Sequence, residues 1–267
     1  MLSLIKGSGL FLLGSNTTKK VALPVPERMW SSHHRRYWNQ IASEYDAMYR
    51  GSWSQLENDA VARSLSFLAE VRKPIVLDVG CGTGLGYKLA HEVNPELRYI
   101  GVDISEEMLH LCTVDGLRVQ GDMNDLNFLR SDAVDVVTLF YTTASYTPDL
   151  RGLMAQVARV LKPGGYAYVS ALSRPRALGQ RRGVLDYRSR GDSSAQSVPA
   201  RAYTMRSLRK IGRGAGLEFV SGSAINTFSG RLERQCFWRI GEVAAKLVPQ
   251  VSHTISAVFQ RTRRGVS

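Results

Sequence analysis

Apolar positions in the first third of the chain follow two different spacings. Residues 37–49 and 56–71 place apolar side chains three and four positions apart, a spacing typical of amphipathic helices. Residues 75–79 instead form a mostly apolar run that follows Pro74 and ends at a glycine, as a buried parallel strand does. The pattern therefore predicts two helices that lead into the first strand of a sheet.

The two patterns then alternate along the rest of the chain. Six more strands are predicted, at 97–105, 117–122, 134–141, 166–172, 217–222 and 254–261. Helices are predicted at 84–94, 105–114 with Ser105 as N-cap, 150–165, 204–216 and 231–248. Repeated strand–helix units align strands in one direction and cover both faces with helices. The pattern predicts an α/β fold with a doubly wound, mostly parallel, seven-stranded sheet.

Two segments depart from this alternation. Residues 1–29 are predicted to be a disordered tail; a transit peptide is the alternative, although residues 1–26 lack the arginines typical of one. Residues 173–202 are polar and arginine-rich, too long for a plain connection, and are predicted to be a lid-like insertion or a disordered loop. We expect residues 30–267 to form a single domain.

Composition narrows the class of protein. Hydrophobic residues make up 44% and charged residues 22%, which is ordinary for a globular protein. The sequence contains no apolar run of the ~18–20 residues that a membrane span requires. The cysteines (Cys81, Cys112 and Cys236) and the five histidines have neither disulfide nor metal-ligand spacing. We therefore expect a cytoplasmic protein without a metal site.

The net charge of +12 is unevenly distributed. Residues 1–150 carry 14 Lys and Arg against 18 Asp and Glu, whereas residues 151–267 carry 21 against 5. Such an asymmetry suggests an anionic partner for the second half.

The first strand runs into a loop with glycine at every second position from Gly80 to Gly86. The dinucleotide motif G-x-G-x-x-G would require glycine where Leu85 or Tyr87 stands, and no Gly-Lys-Ser/Thr follows for a Walker motif. The loop therefore does not predict a phosphate site.

Carboxylates accompany this loop. Asp78 precedes it, and Asp103 and Asp122 end the next two strands. Because ligands of open parallel sheets bind at the carboxyl ends of the strands, the three acids favour a ligand rich in hydrogen-bond donors and positive charge. The glycines would let the backbone approach a nucleoside that carries an amino-acid tail.

Four segments in order, "LDVGCGTG", "GVDIS", "GDMNDL" and "VLKPGGYAYVS", resemble the motifs of class I S-adenosylmethionine-dependent methyltransferases, in their small-molecule (type 11-like) branch. The resemblance covers about residues 35–262 and implies a Rossmann-like fold with S-adenosylmethionine as cofactor. It implies that Asp78 faces the ammonium group, Asp103 the ribose and Asp122 the adenine amine. The full set expected to bind the cofactor is Tyr37, Tyr45, Asp78, Gly80, Cys81, Gly82, Gly84, Asp103, Ile104, Met108, Asp122, Met123, Phe140 and Tyr141.

The methyl acceptor is less constrained by the sequence. The fourth strand ends in "LFYTTASYT" and lacks an Asn/Asp-Pro-Pro-Tyr tetrad, which disfavours amino methylation of nucleic-acid bases or glutamine. We expect a small-molecule acceptor with an O, N or C nucleophile. Candidates for a general base are His33, His34, Tyr141 and Tyr146. Candidates for holding an anionic acceptor are Arg174, Arg176, Arg181 and Arg182.

Three alternatives remain open. The basic half could dock RNA or protein as the substrate. The predicted helix 231–248, which contains Trp238, could lie on an anionic membrane surface, as in a lipid or quinone methyltransferase. The fold could also bind the cofactor without transferring its methyl group. The sequence leaves the oligomeric state open.

Overall fold

The computed structural model of the protein describes residues 26–173, 184–187, 197–225 and 252–262. Seven strands of these residues form one sheet in the order β3-β2-β1-β4-β5-β9-β8, and two more pair separately. The strands are β1 (Ile75–Val79), β2 (Arg98–Asp103), β3 (Leu117–Gln120), β4 (Val134–Leu139), β5 (Leu161–Leu172), β6 (Val184–Tyr187), β7 (Val198–Arg201), β8 (Leu217–Ile225) and β9 (Thr254–Arg261).

The large sheet is parallel except for β9, which runs antiparallel to both of its neighbours, β5 and β8. The chain leaves β1 toward β2 and β3 on one side, then returns to place β4 on the other side of β1. The strand order therefore reverses between β1 and β4, where open α/β sheets bind their ligands. The predicted doubly wound, mostly parallel, seven-stranded sheet is confirmed.

In the part of the chain that the structure describes, six α-helices surround the sheet: α1 (Trp30–Met48), α2 (Ser52–Ser64), α3 (Leu85–Val93), α4 (Glu106–Leu111), α5 (Leu150–Val160) and α6 (Met205–Gly214). The predicted N-cap Ser105 is confirmed, because its hydroxyl accepts a hydrogen bond from Met108 N at 3.1 Å. The helix predicted over 56–71 instead ends as α2 at Ser64. The Leu65 amide is shared between the carbonyls of Val61 and Ala62, and a 3-10 helix follows at Ser66–Glu70.

Alternate side chains of β1 enter two different cores. Leu77 and Val79 belong to a large cluster with α5 and β9, whereas Val76 packs on the opposite face with Phe140 and Tyr168. This period of two buries both faces of the central strand. The strand is therefore held firmly, and its carboxyl end is a rigid platform for the loop that follows.

Several predictions fall partly or wholly outside the described residues. Residues 1–25 of the predicted tail do so, whereas Glu27–Met29 form a 3-10 turn that runs into α1 and thus correct the boundary of that tail. Within the predicted insertion 173–202, β6 and β7 form an antiparallel pair. Outside the described residues lie Arg174, Arg176, Arg181, Arg182 and the predicted helix 231–248.

Among the described residues, no helix is both long enough and apolar enough to cross a membrane.

Candidate functional site

A cavity opens at the carboxyl ends of β1, β2 and β3, on the side where the strand order reverses. It encloses about 700 Å³ of space, part of which is open to solvent. Many of the residues that the sequence predicts for the site line this cavity: His34, Tyr45, Gly80, Gly82, Asp103, Ile104, Met108, Asp122, Met123, Tyr141 and Tyr146.

The glycine loop forms one wall of the cavity in a backbone conformation that other residues rarely adopt. Gly80 and Gly82 have φ values of +74° and +54°. A Cβ at Gly80 would lie 2.6 Å from Thr143 Cγ2, and one at Gly82 would lie 3.8 Å from Tyr45 Cε1. The absence of side chains therefore both permits the turn and leaves room beneath Tyr45.

Asp103 ends β2 and presents a buried carboxylate to the cavity. Its Oδ2 accepts a hydrogen bond of 2.8 Å from Gly82 N, and its Oδ1 accepts one of 2.8 Å from Ser105 N. Burial raises the pKa of this carboxyl, although backbone hydrogen bonds from Ser105, Gly82 and Ile104 oppose the rise. A carboxylate has about four acceptor positions, so these bonds leave acceptor capacity for a ligand.

Asp122 follows β3 and joins it to the first turn of α1. The Ser31 hydroxyl donates to Oδ2, while Oδ1 accepts from Asn124 N at 2.9 Å and from Asn124 Nδ2 at 2.7 Å. The side chain is thereby fixed at the edge of the cavity, with lone pairs to spare for a ligand donor.

Asp78 does not line the cavity, which corrects the expectation that it faces the ligand. Its Oδ2 accepts a hydrogen bond of 2.7 Å from the Tyr99 hydroxyl, and its Oδ1 accepts one of 2.9 Å from Thr138 Oγ1. Only 1% of the residue is exposed. The carboxyl is therefore bound within the sheet, between β2 and β4.

Four other expected cofactor residues also lie outside the lining. Tyr37 is buried against Ile41 and Met108 on the inner side of α1. Cys81 packs in a small apolar cluster beside Tyr99, and a Cβ at Gly84 would lie 2.3 Å from Val114 Cγ1. Phe140 points to the other face of the sheet.

These side chains lie outside the lining because they point away from the cavity. Cys81 turns toward β2, where a Cβ at Gly101 would lie 2.8 Å from its Sγ. At the end of β4, Phe140 packs against Tyr168 with ring centroids 5.3 Å apart, and a Cβ at Gly86 would lie 2.1 Å from its ring. Phe140 thus supports helix α3 rather than a ligand.

An aromatic stripe along α1 covers the cavity. Ser31, His34, Trp38, Tyr45 and Tyr49 are separated by three, four, seven and four positions, which places them on one helical face. Three of these, Ser31, Trp38 and Tyr49, were missed by the sequence analysis, although their spacing from Tyr45 was a usable signal. Also missed were Val102, Gly121, Asn124 and Thr143.

Ring contacts tie this stripe to the loop after β4. The rings of Trp38 and Tyr146 lie 5.4 Å apart, and those of Tyr49 and Tyr141 lie 4.9 Å apart. Tyr141 has a φ of +43°, a strained value for a non-glycine residue. Such strain is found preferentially at functional sites, because there the surrounding structure holds a side chain in a required position.

The four candidate bases differ in what they can do. Burial raises the pKa of Tyr141 and of Tyr146 above the usual range, so both phenols stay protonated at neutral pH. His33 does not line the cavity. Burial lowers the pKa of His34 to about 4, and this ring is therefore neutral at pH 7.

Part of the chain is similar to known methyltransferases. Residues 77–169 match the family model described as "Methyltransferase domain". The demethylmenaquinone methyltransferase of Lactococcus lactis subsp. lactis is 30% identical over 148 residues, which are 52% of this chain and 58% of that protein. The fatty-acid O-methyltransferase of Mycolicibacterium smegmatis is 34% identical over 139 residues, 50% of this chain and 47% of that protein. The match thus spans about half to three fifths of these relatives.

A solved structure extends the likeness beyond the matched domain. The S-adenosylmethionine-dependent methyltransferase of Mesorhizobium loti covers 76% of this chain and 100% of its own, with a TM-score of 0.55 and 19% identity. At that identity the likeness establishes the fold alone. Residues 77–169 thus match a methyltransferase domain, and the sheet around them has the fold of that S-adenosylmethionine-dependent methyltransferase.

Proposed function

We propose that this protein transfers a methyl group from S-adenosylmethionine to a small, largely apolar acceptor. The cavity between the glycine loop and the aromatic stripe of α1 carries this proposal. When bound, the cofactor supplies an electrophilic methyl group on a sulfonium, so the protein's task is to bind and orient the two partners.

The residues of the cavity match the chemistry of the cofactor. Asp103 would accept hydrogen bonds from the ribose hydroxyls, and Asp122 would accept one from the adenine amine between Ile104 and Met123. Gly80 and Gly82 would leave space for the methionine part. The rings of Tyr45 and Trp38 would favour the positive charge of the sulfonium through cation–π attraction.

The same cavity favours an apolar acceptor. Trp38, Tyr141 and Tyr146 line it with aromatic surface. The names of the relatives point in the same direction, because a quinone and a fatty acid are both largely apolar compounds. Fold alone does not identify a substrate, and so the support comes from these walls.

Calorimetry and labelled methyl transfer test the proposal together. We expect the purified protein to bind S-adenosylmethionine and S-adenosylhomocysteine but not NAD, because the glycine loop lacks the G-x-G-x-x-G motif that binds a pyrophosphate. With an isotopically labelled methyl donor, the label should enter an apolar compound of a lipid extract and not added RNA. Binding of NAD instead of the methyl donor, or label found in RNA alone, would contradict the proposal.

A further inference from the structure

Two neighbouring histidines attach α1 to the segment around β7. His33 Nε2 lies 3.2 Å from the carbonyl oxygen of Ser197, and His34 Nε2 lies 3.0 Å from that of Pro199. Both contacts cross more than 160 positions of sequence. Of the two histidine rings, only that of His34 lines the cavity.

The contact with Pro199 fixes the tautomer of His34. A carbonyl oxygen can only accept a hydrogen bond, so Nε2 must carry the proton. Because the ring is neutral at pH 7, Nδ1 then has a free lone pair. His34 is 3% exposed, and its Nδ1 has no hydrogen-bond partner among the described residues.

A buried acceptor without a partner is unusual in a native protein, because it loses its hydrogen bonds to water on burial. At His34 the position of the ring explains the missing hydrogen-bond partner. The ring borders the cavity, with the Tyr146 ring 5.5 Å away and Asp122 close enough to influence its charge. A ligand that enters the cavity is therefore the natural source of the missing donor.

Resting on the proposed function, we propose that His34 Nδ1 accepts a hydrogen bond from an O–H or N–H group of the methyl acceptor. The site then selects apolar compounds that carry such a donor next to an aromatic or hydrocarbon body. The ribose hydroxyls and the adenine amine of the cofactor are matched by the carboxylates of Asp103 and Asp122, which accept more strongly than a neutral ring nitrogen. His34 is thus a residue that determines acceptor specificity and orientation.

Nitrogen NMR of histidine-labelled protein tests the hydrogen bond directly. The probes are 1-naphthol and naphthalene, which share a ring system but differ in the O–H group, each added with and without S-adenosylhomocysteine. We expect 1-naphthol to shift the Nδ1 resonance of His34 and naphthalene to leave it in place. A shift caused by S-adenosylhomocysteine alone, or no shift with 1-naphthol under either condition, overturns the inference.

Variants separate this role from the anchoring of α1. His34→Gln keeps a donor for the Pro199 carbonyl together with an acceptor oxygen, whereas His34→Phe removes both the donor and the acceptor. In the wild type, we expect 1-naphthol to bind about threefold to tenfold more tightly than naphthalene, beyond the preference seen in His34→Phe. His33→Phe, which also loses a carbonyl contact, should retain the wild-type preference.

The two proposals fail in different ways. If calorimetry detects no binding of S-adenosylhomocysteine, the proposed function is wrong. If the cofactor binds and His34→Phe keeps the full preference for 1-naphthol, only the inference about His34 is wrong.

Discussion

The Tyr99 hydroxyl lies 2.7 Å from Oδ2 of Asp78 and donates a hydrogen bond to it inside the sheet. Thr138 donates to the other oxygen of the same carboxyl. Despite these two bonds, burial raises the pKa of Asp78 to about 7. The group therefore exchanges its proton near neutral pH while it is shielded from solvent and ligand.

This shift predicts a pH dependence of stability. Between the ordinary carboxyl pKa of about 4 and the folded value of about 7, the native state holds a proton that the unfolded state has lost. The contribution of Asp78 to the free energy of unfolding therefore falls as pH rises through that window, by at most about 1.4 kcal/mol per pH unit, and is constant above it. Urea unfolding between pH 5 and pH 8 should show this fall in the wild type and a flatter curve in Asp78→Asn.

Asp125→Asn is the matched control, since Asp125 is exposed on the loop after β3. Its curve should follow the wild type. Parallel curves for the wild type and Asp78→Asn would show that this carboxyl does not titrate in the window.

Asp103→Ala should weaken cofactor binding. The variant removes a charged acceptor at the end of β2, and hydrogen bonds to charged groups contribute about 1.5–3 kcal/mol each. We expect the affinity for S-adenosylhomocysteine to fall at least tenfold in calorimetry. Glu106→Gln, which changes an exposed acid three positions away, should bind like the wild type; equal affinities for all three proteins would exclude Asp103 from the binding site.

Gly82→Ala and Gly216→Ala form a second matched pair. Both glycines have positive φ values, +54° and +80°, so alanine should lower the free energy of unfolding by about 1–2 kcal/mol at either position. A Cβ at Gly82 would approach Tyr45 and Met108 in the cavity, whereas one at Gly216 would meet nothing within 4 Å. Only Gly82→Ala should therefore weaken binding of S-adenosylhomocysteine, and an equal loss in both variants would indicate a general effect of strain.

Helix α6 offers a test of packing alone. A Cβ at Gly212 would lie 2.4 Å from Cε1 of the buried Phe259, whereas Gly214 in the same helix has open space around it. Gly212→Ala should lower the free energy of unfolding by about 1–3 kcal/mol through overpacking. Gly214→Ala should leave it unchanged or raise it by up to about 1 kcal/mol, because alanine favours the helix. Urea midpoints measure both, and a stabilised Gly212→Ala protein would contradict the packing described here.

The architecture could be predicted from the sequence because its signals are local. The mixture of period-two and helical spacing identifies the seven strands of the sheet, and the parallel arrangement follows from their alternation with helices. The positions of Gly80 and Gly82 at the cavity also follow, since both lie directly after β1. Asp103 and Asp122 reach the same edge because they lie at the carboxyl ends of β2 and β3, which are parallel neighbours.

Side-chain direction could not be predicted in this way. Asp78 is the penultimate residue of β1 and Asp103 is the last residue of β2, yet one faces Tyr99 inside the sheet and the other faces the cavity. Nothing in their neighbouring residues distinguishes them. The same holds for Phe140 and Tyr141, which are adjacent in sequence but point to different sides of the sheet.

The sequence by itself determined the order of helices and strands, the backbone freedom of the glycine loop and the edge of the sheet where a ligand binds. Each of these depends on residues close together in the chain. The tertiary structure alone decided that α1 covers the cavity, that Asp78 is bound by Tyr99 and Thr138, and that Pro199 fixes the tautomer of His34. These depend on hydrogen bonds and packing between residues as many as 165 positions apart, and such contacts form only when the whole fold brings the partners together.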